Sequence, residues 1–87
     1  MGKELWFSVA GLAVAYECEC VFEFEHTDEQ FEQLCEFAVY IYLKWEEGTA
    51  HAIADTINDL IAHGDYTIDE VLALNKHEFI EVASYNL

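Results

Sequence analysis

The sequence predicts an α+β fold, a small antiparallel β-sheet with two to three helices packed on one of its faces. Between Leu12 and Phe24 the apolar residues alternate with a period of two, which is typical of a β-strand. Farther along the chain they recur at helical spacing. The chain has 87 residues, 54% of them hydrophobic, which is enough for one modest core. We therefore expect residues 1–87 to form a single domain.

Two strands are predicted in the first part of the chain. "KELWFSVA" before Gly11 is the first, and "LAVAYECECVFEFEH" after it is the second. A strand as long as the second cannot run straight in so small a domain, so we expect a bend between Ala13 and Tyr16. The first sixteen residues also resemble a short signal peptide, but Glu4 interrupts the positive start that such a peptide needs.

The longest predicted helix begins at Thr27, where Gln30 completes a capping box, and it ends before Gly48. Its predicted core-facing residues are Phe31, Leu34, Cys35, Ala38, Ile41, Tyr42 and Trp45. The segment "FAVYIYLKW" within this helix is apolar on nearly every side. It therefore faces either a covered core or another subunit, and Phe37, Tyr40 and Leu43 are the candidate contacts of a homodimer.

Two more helices and a last strand are expected in the second half. One helix runs from Thr49 to His63, with Gly64 in the C′ position that follows a helix. A short helix begins at Thr67, completes a capping box with the acidic residue three positions later, and ends near Asn75. The segment "EFIEVASY" that follows predicts the last strand.

The charge of the chain is strongly one-sided. Three Lys and no Arg stand against 18 Asp and Glu, which gives a formal net charge of −15. Direct binding to DNA or RNA is excluded, because the cations that would neutralise phosphates are missing. Binding to anionic membrane surfaces is excluded for the same reason. Self-repulsion of this size destabilises a small domain, so the charge indicates a cationic partner.

The acidic residues are predicted to form two rows. Glu17, Glu19, Glu23 and Glu25 share one face of the second strand, where same-side residues lie about 6.6 to 6.8 Å apart. That step equals about two phosphates of axial rise in DNA, at about 3.4 Å each. Further carboxylates on the long helix add the second row. Carboxylates can occupy the Arg and Lys forks that bind phosphate, so the rows predict a mimic of nucleic acid.

Small size, extreme acidity and abundant aromatic residues resemble phage-encoded DNA-mimic inhibitors, the anti-CRISPR and anti-restriction proteins. The resemblance is one of composition and covers no shared motif. It implies a non-catalytic inhibitor in the cytoplasm of the host bacterium, which blocks the DNA-binding groove of a CRISPR-Cas complex or a nuclease. The residues expected to bind that basic partner are Glu17, Glu19, Glu23, Glu25, Glu29, Glu32 and Glu36.

Three other interpretations fit the same residues. An acidic immunity protein or antitoxin would neutralise a basic toxin with the same charges. A small structural subunit would oligomerise through its apolar helix. The Glu row would also be ordinary for a solvated outer face of a sheet.

Catalytic and metal chemistry are not favoured by the sequence. Cys18, Cys20, His26 and Cys35 are possible zinc ligands, but same-face strand residues lie too far apart for two thiolates on one zinc ion, so the strand cysteines are predicted to be buried. A disulfide from Cys35 to a strand cysteine is disfavoured in a reducing cytoplasm. His51 has an acidic residue four positions later but no nucleophile nearby, so an exposed helical pair is predicted. We expect no enzyme activity, no metal and no cofactor.

Overall fold

The computed structural model of the chain describes residues 9–86, which form α-helices and one short 3₁₀ helix. The helices are α1 (Val9–Val21), α2 (Asp28–Lys44), α3 (Ala50–Ala62), α4 (Ile68–Leu72) and α5 (Lys76–Ala83), followed by the 3₁₀ helix Ser84–Asn86. Residues 9–86 contain no β-strand, so the predicted α+β class is wrong and this part of the chain is a small all-helical domain. The first predicted strand lies mostly outside the described residues, and its last two residues belong to α1.

Helix α1 replaces the second predicted strand, because its apolar residues satisfy a helical period as well as a period of two. Val14 and Cys18 are fully buried and lie one helical turn apart. Leu12 and Tyr16, which the strand interpretation placed on the same face as these two, are 52% and 66% exposed. The alternation with a period of two therefore does not separate the buried residues from the exposed ones. Leu12, Ala13 and Ala15 also favour a helix, because Ala and Leu have high helix propensity.

The predicted start of α2 is confirmed. The Thr27 hydroxyl accepts a hydrogen bond from the Gln30 backbone N–H at 3.1 Å, and the Gln30 side chain accepts one from the Thr27 N–H at 2.9 Å. The predicted inward stripe is also confirmed at its centre, since Leu34, Ala38 and Ile41 are fully buried. Reciprocal capping thus fixes where α2 begins and the stripe fixes which side faces the core.

Helix α3 also lies where the sequence predicts it. The Thr49 hydroxyl accepts a hydrogen bond from the Ala52 N–H at 3.0 Å, and His63 caps the other end. Gly64 follows the helix as predicted, but its φ is not positive. A Cβ atom at position 64 would lie 2.6 Å from the carbonyl oxygen of Leu60 in the last turn of α3, so the chain that leaves the helix has no room for a side chain there.

The last part of the chain is helical where a strand was predicted. The Thr67 capping box of α4 is confirmed, with its hydroxyl 3.2 Å from the Glu70 nitrogen. A further capping box opens α5: the Asn75 side chain accepts a hydrogen bond from the Glu78 N–H at 2.9 Å. Phe79 is fully buried on α5, and Ala83 is buried one turn later. The prediction of a strand in "EFIEVASY" is therefore wrong, and the capping box was the signal that it overlooked.

The core lies between α1, α2 and α3, and the two short helices cover its far end. The ring of Phe37 packs edge-on against Phe79, with centroids 5.2 Å apart. Tyr40 and Leu43 on the same helix point outward, at 50% and 67% exposure. Of the three residues predicted for a homodimer contact, one thus packs against the core and two are accessible. In the described part of the chain, no helix is long and apolar enough to cross a membrane.

Candidate protein-binding surface

Cations are scarce around the acidic residues. Of the three Lys, Lys44 lies in the last turn of α2, Lys76 opens α5, and Lys3 is outside the described residues. The remaining groups that can carry positive charge in residues 9–86 are histidines. A carboxylate that forms an ion pair with a histidine is therefore partly neutralised, whereas one without such a contact keeps its charge for a partner.

Glu17 is held by α3. Its Oε2 atom lies 3.2 Å from Nδ1 of His51, and Nε2 of the same ring lies 2.9 Å from Oδ2 of Asp55. The second contact confirms the predicted helical pair. The pKa of His51 is raised, first by its hydrogen bond with Glu17 and then by the charge of Asp55. When the ring is protonated, it donates to both carboxylates, and its contact with Glu17 ties α1 to α3.

Glu23 is held at the opposite end of α3. Its Oε2 atom lies 3.1 Å from Nε2 of His63, and its backbone N–H donates to the Asn58 side chain at 2.9 Å. Asn58 is only 6% exposed, whereas the side chains of Glu23 and His63 are both well exposed. The part-buried hydrogen bond from Glu23 to Asn58 fixes the path of the chain just after α1, and the exposed pair of Glu23 and His63 contributes less. We call the contacts of Glu17 and Glu23 with α3 the clasp.

The predicted row of carboxylates on one strand face therefore does not form. Glu17 and Glu23 turn toward α3, Glu19 is exposed on α1, and Glu25 is exposed in the linker between α1 and α2. Glu17 and Glu19 lie on a helix, and Glu23 and Glu25 lie in the irregular segment that follows it, so the four do not share one face. The spacing of about two phosphates, which depended on a strand, is lost with the strand.

The linker between α1 and α2 is packed by aromatic rings. The Phe22 and Phe24 centroids are 4.7 Å apart, and the His26 ring stacks on Phe31 at 5.5 Å. Nδ1 of His26 donates to the Phe24 carbonyl oxygen at 2.8 Å. Glu19 and Asp28 border a shallow depression beside these rings. The cluster holds the end of α1 and the start of α2 in a fixed relation.

Glu29, Glu32 and Glu36 form the second predicted row, and we call them the α2 acidic face. They lie three and four residues apart, which places neighbours about 5 to 6 Å from each other on one side of a helix. With Asp28 they line a shallow surface depression. Within residues 9–86 none of the three forms an ion pair. Their negative charge is therefore available to a partner.

An open groove runs along the exposed side of α1 toward the start of α3, and we call it the α1 groove. Its volume is about 690 Å³. Its lining is mostly apolar and includes three alanines, which leave room beside the larger side chains. The lining residues are Leu12, Ala13, Ala15, Tyr16, Glu17, Glu19 and Ala50.

The α1 groove and the α2 acidic face belong to one continuous surface. Glu19 lines both the α1 groove and the depression beside the aromatic linker. Asp28 lines both that depression and the one on the α2 acidic face. The apolar groove is therefore connected to the strip of carboxylates through the depression beside the aromatic rings, and apolar and charged areas of this kind lie within reach of one partner.

The cysteines are placed differently from the prediction. Cys18 and Cys35 are buried where α1 meets α2. The pKa of the Cys35 thiol is raised by its hydrogen bond with Cys18 and by burial, and both side chains pack in the core as small apolar groups. Cys20, which was predicted to be buried beside Cys18, is exposed. Among residues 9–86, no three His, Cys, Asp or Glu side chains are placed to hold a metal ion.

No protein-family model, curated protein or solved structure matches the chain. Family membership therefore assigns no role to any residue of this surface. Its charge, shape and contacts are the observations from which a function can be inferred.

Sequence reasoning missed the residues of α3 that hold the clasp. Asn58 and His63 carry no motif, and their contacts with Glu23 join residues 35 and 40 positions apart. A helical interpretation of α1 would have placed Glu17 beside the buried stripe that contains Val14 and Cys18. That placement was the available signal that Glu17 lies against another helix.

Proposed function

We propose that this protein is a non-catalytic inhibitor that binds the basic nucleic-acid groove of a CRISPR-Cas complex or a nuclease in the cytoplasm of a bacterial host. The α2 acidic face is the observation that carries the proposal. Its three carboxylates form no ion pair with a described residue, and the whole chain has a formal net charge of −15. Unneutralised charge of one sign favours fast association with a surface of the opposite sign.

The charge density of the α2 acidic face supports mimicry of a nucleic-acid strand. Glu29 and Glu36 are seven residues apart, which is about 10.5 Å along a helix that rises about 1.5 Å per residue. Three carboxylates thus cover a length that holds about three phosphate steps of about 3.4 Å in one DNA strand. Arg and Lys forks that bind phosphate can accept carboxylates in the same positions.

The proposal is tested by phage plating on bacteria that carry a defined CRISPR-Cas or restriction system and express this protein. We expect plating to recover with at least one such system. The same purified effector should bind DNA less well as the protein is added, and excess DNA should reverse the effect. Failure to restore plating with any system, or inhibition that excess DNA does not reverse, would contradict the proposal.

A triple variant tests whether the α2 acidic face carries the inhibition. Glu29→Gln, Glu32→Gln and Glu36→Gln together should abolish most inhibition while leaving the helical circular dichroism spectrum unchanged. The matched control removes three exposed carboxylates elsewhere, by Asp59→Asn, Asp65→Asn and Glu81→Gln. Equal loss in both variants would show that total charge acts and that the α2 acidic face does not.

A further inference from the structure

The α1 groove exposes two large apolar side chains side by side. Leu12 and Tyr16 lie one turn apart on α1 and are 52% and 66% exposed. Isolated apolar residues on a surface are ordinary, but these two adjoin Ala13 and Ala50 in one groove of about 690 Å³. A groove of that size accepts two or more large side chains of a partner.

The shape of the α1 groove fits a helix. Its lining on α1 extends from Leu12 to Glu19, which is about 10.5 Å of axis or two turns. Two turns match the anchors of an amphipathic helix, at positions i, i+3 or i+4, and i+7. Ala13 and Ala50 have small side chains, so the axis of a second helix can approach α1 closely at this point.

The charge beside the α1 groove favours a cationic occupant. Two carboxylates line the groove: Glu17 is paired with His51, whereas Glu19 forms no ion pair with a described residue and also lines the depression that reaches Asp28. The nearby His51 is already engaged by two carboxylates. A second copy of this chain would bring another formal charge of −15 to the same surface, which disfavours it as the occupant.

We propose that the α1 groove binds the apolar face of a cationic amphipathic helix that belongs to the partner protein. The helix places two or three apolar side chains against Leu12, Tyr16 and Ala50, and its Lys or Arg side chains reach Glu19 and the carboxylates beyond it. This inference rests on the proposed function in one respect, the basic character of the partner. It adds an apolar anchor that mimicry of phosphates does not require.

A designed peptide tests the inference directly on the full chain. The probe is longer than about 15 residues, so that it can form a helix, and carries Leu at helical spacing on one face and Lys on the other. A second peptide has the same composition in an order without an apolar face. We expect calorimetry to show at least about tenfold tighter binding of the amphipathic peptide. Equal affinity of the two peptides would overturn the inference.

The chain offers a closely matched control for the groove. Leu12→Ser with Tyr16→Ser should weaken binding of the amphipathic peptide about tenfold or more, at low and at high salt, because apolar contacts are lost. Tyr40→Ser with Leu43→Ser makes the same chemical change at two exposed positions on α2 and should leave binding within about twofold. Equal effects of the two pairs, or no effect of the first, would overturn the groove assignment. All four side chains are exposed, so both variants should fold.

Failure of the groove and failure of the proposed function can be told apart. If the triple variant of Glu29, Glu32 and Glu36 loses inhibition but the Leu12→Ser, Tyr16→Ser variant binds the peptide normally, the groove inference is wrong and the proposed function stands. If the Leu12→Ser, Tyr16→Ser variant loses peptide binding while the triple variant still inhibits, the groove inference stands and the proposed role of the α2 acidic face is contradicted. Sedimentation of the chain alone as a dimer that depends on Leu12 and Tyr16 would replace the cationic helix by a second copy.

Discussion

The carboxylates of the clasp and those of the α2 acidic face have the same chemistry but different surroundings. Glu17 lies 3.2 Å from a histidine ring, and Glu23 lies 3.1 Å from another. Glu29, Glu32 and Glu36 form no ion pair with any residue that the structure describes. The first set therefore acts within the fold and the second is free to act outside it. An acidic composition does not by itself separate these two roles, and the contacts do.

The largest expected effect comes from reversing charge on the α2 acidic face. Glu29→Lys, Glu32→Lys and Glu36→Lys together should weaken binding to the basic partner at least about 100-fold at low salt, since each reversal costs on the order of 1 to 3 kcal/mol. Thermal unfolding should remain cooperative with little change in stability, because attraction of the new Lys side chains to the remaining carboxylates is offset by the loss of Glu29 from the first turn of α2. Surface plasmon resonance at two salt concentrations measures the change.

A reversal of equal charge elsewhere is the control for that comparison. Asp59→Lys, Asp65→Lys and Glu81→Lys change exposed residues outside both surfaces. They should reduce the association rate modestly and leave dissociation unchanged. If this control weakened binding as much as reversal of the α2 acidic face, net charge alone would explain the affinity.

Loss of the part-buried hydrogen bond of the clasp should have the next largest effect, and this effect is on stability rather than on binding. Asn58→Ala leaves the Glu23 backbone N–H without its acceptor at a part-buried position beside the core. The expected loss in free energy of unfolding is about 1 to 3 kcal/mol, measured by urea denaturation. Full stability of the alanine variant would show that this hydrogen bond does not hold the chain.

Loss of the exposed pair of the clasp should have a smaller effect. Glu23→Gln weakens the contact with His63 while its backbone hydrogen bond to Asn58 remains. Because both side chains are well exposed, we expect less than about 1 kcal/mol in the free energy of unfolding. The comparison with Asn58→Ala then separates the part-buried and the exposed parts of the clasp. A loss as large as that of the alanine variant would contradict this division.

The smallest effect is a pH dependence from His51. Its pKa in the folded chain is raised by Glu17 and Asp55, so the folded state binds a proton more tightly than the unfolded state does. The resulting stabilisation is fully present below the unfolded value of about 6.5 and disappears as pH rises through the raised value. Urea denaturation should therefore show a steeper loss of stability with rising pH, from about 6 upward, in the wild type than in His51→Gln. Parallel pH profiles would show that the ring does not take part in the clasp.

The parts of the fold that the sequence predicts correctly are those with local signals. Thr27, Thr49 and Thr67 each cap the helix that was predicted after them, because a capping hydroxyl needs only the residues two or three positions later. The stripe through Leu34, Ala38 and Ile41 repeats often enough to exclude a period of two. These features depend on neighbours along the chain.

The errors arise where local patterns are ambiguous and tertiary contacts decide. In α1, Val14 and Cys18 are four residues apart and so fit both a strand and a helix. Burial against α3 and α2 selects the helix, and no local residue reveals those neighbours. The same limit applies to the surface. The sequence shows that Glu17 and Glu29 are acidic, but only the fold shows that the first meets a histidine.

Chemical modification of the three thiols can measure how often α1 and α2 separate. Cys20 is open to solvent, whereas Cys18 and Cys35 are enclosed in the core. An alkylating reagent should therefore label the native protein once, and the second and third labels should follow only as α1 separates from α2. The rate of those later labels records how often the two helices part under native conditions. A fluorophore attached at Cys20 would sit beside Glu19, close to where a partner's helix would bind.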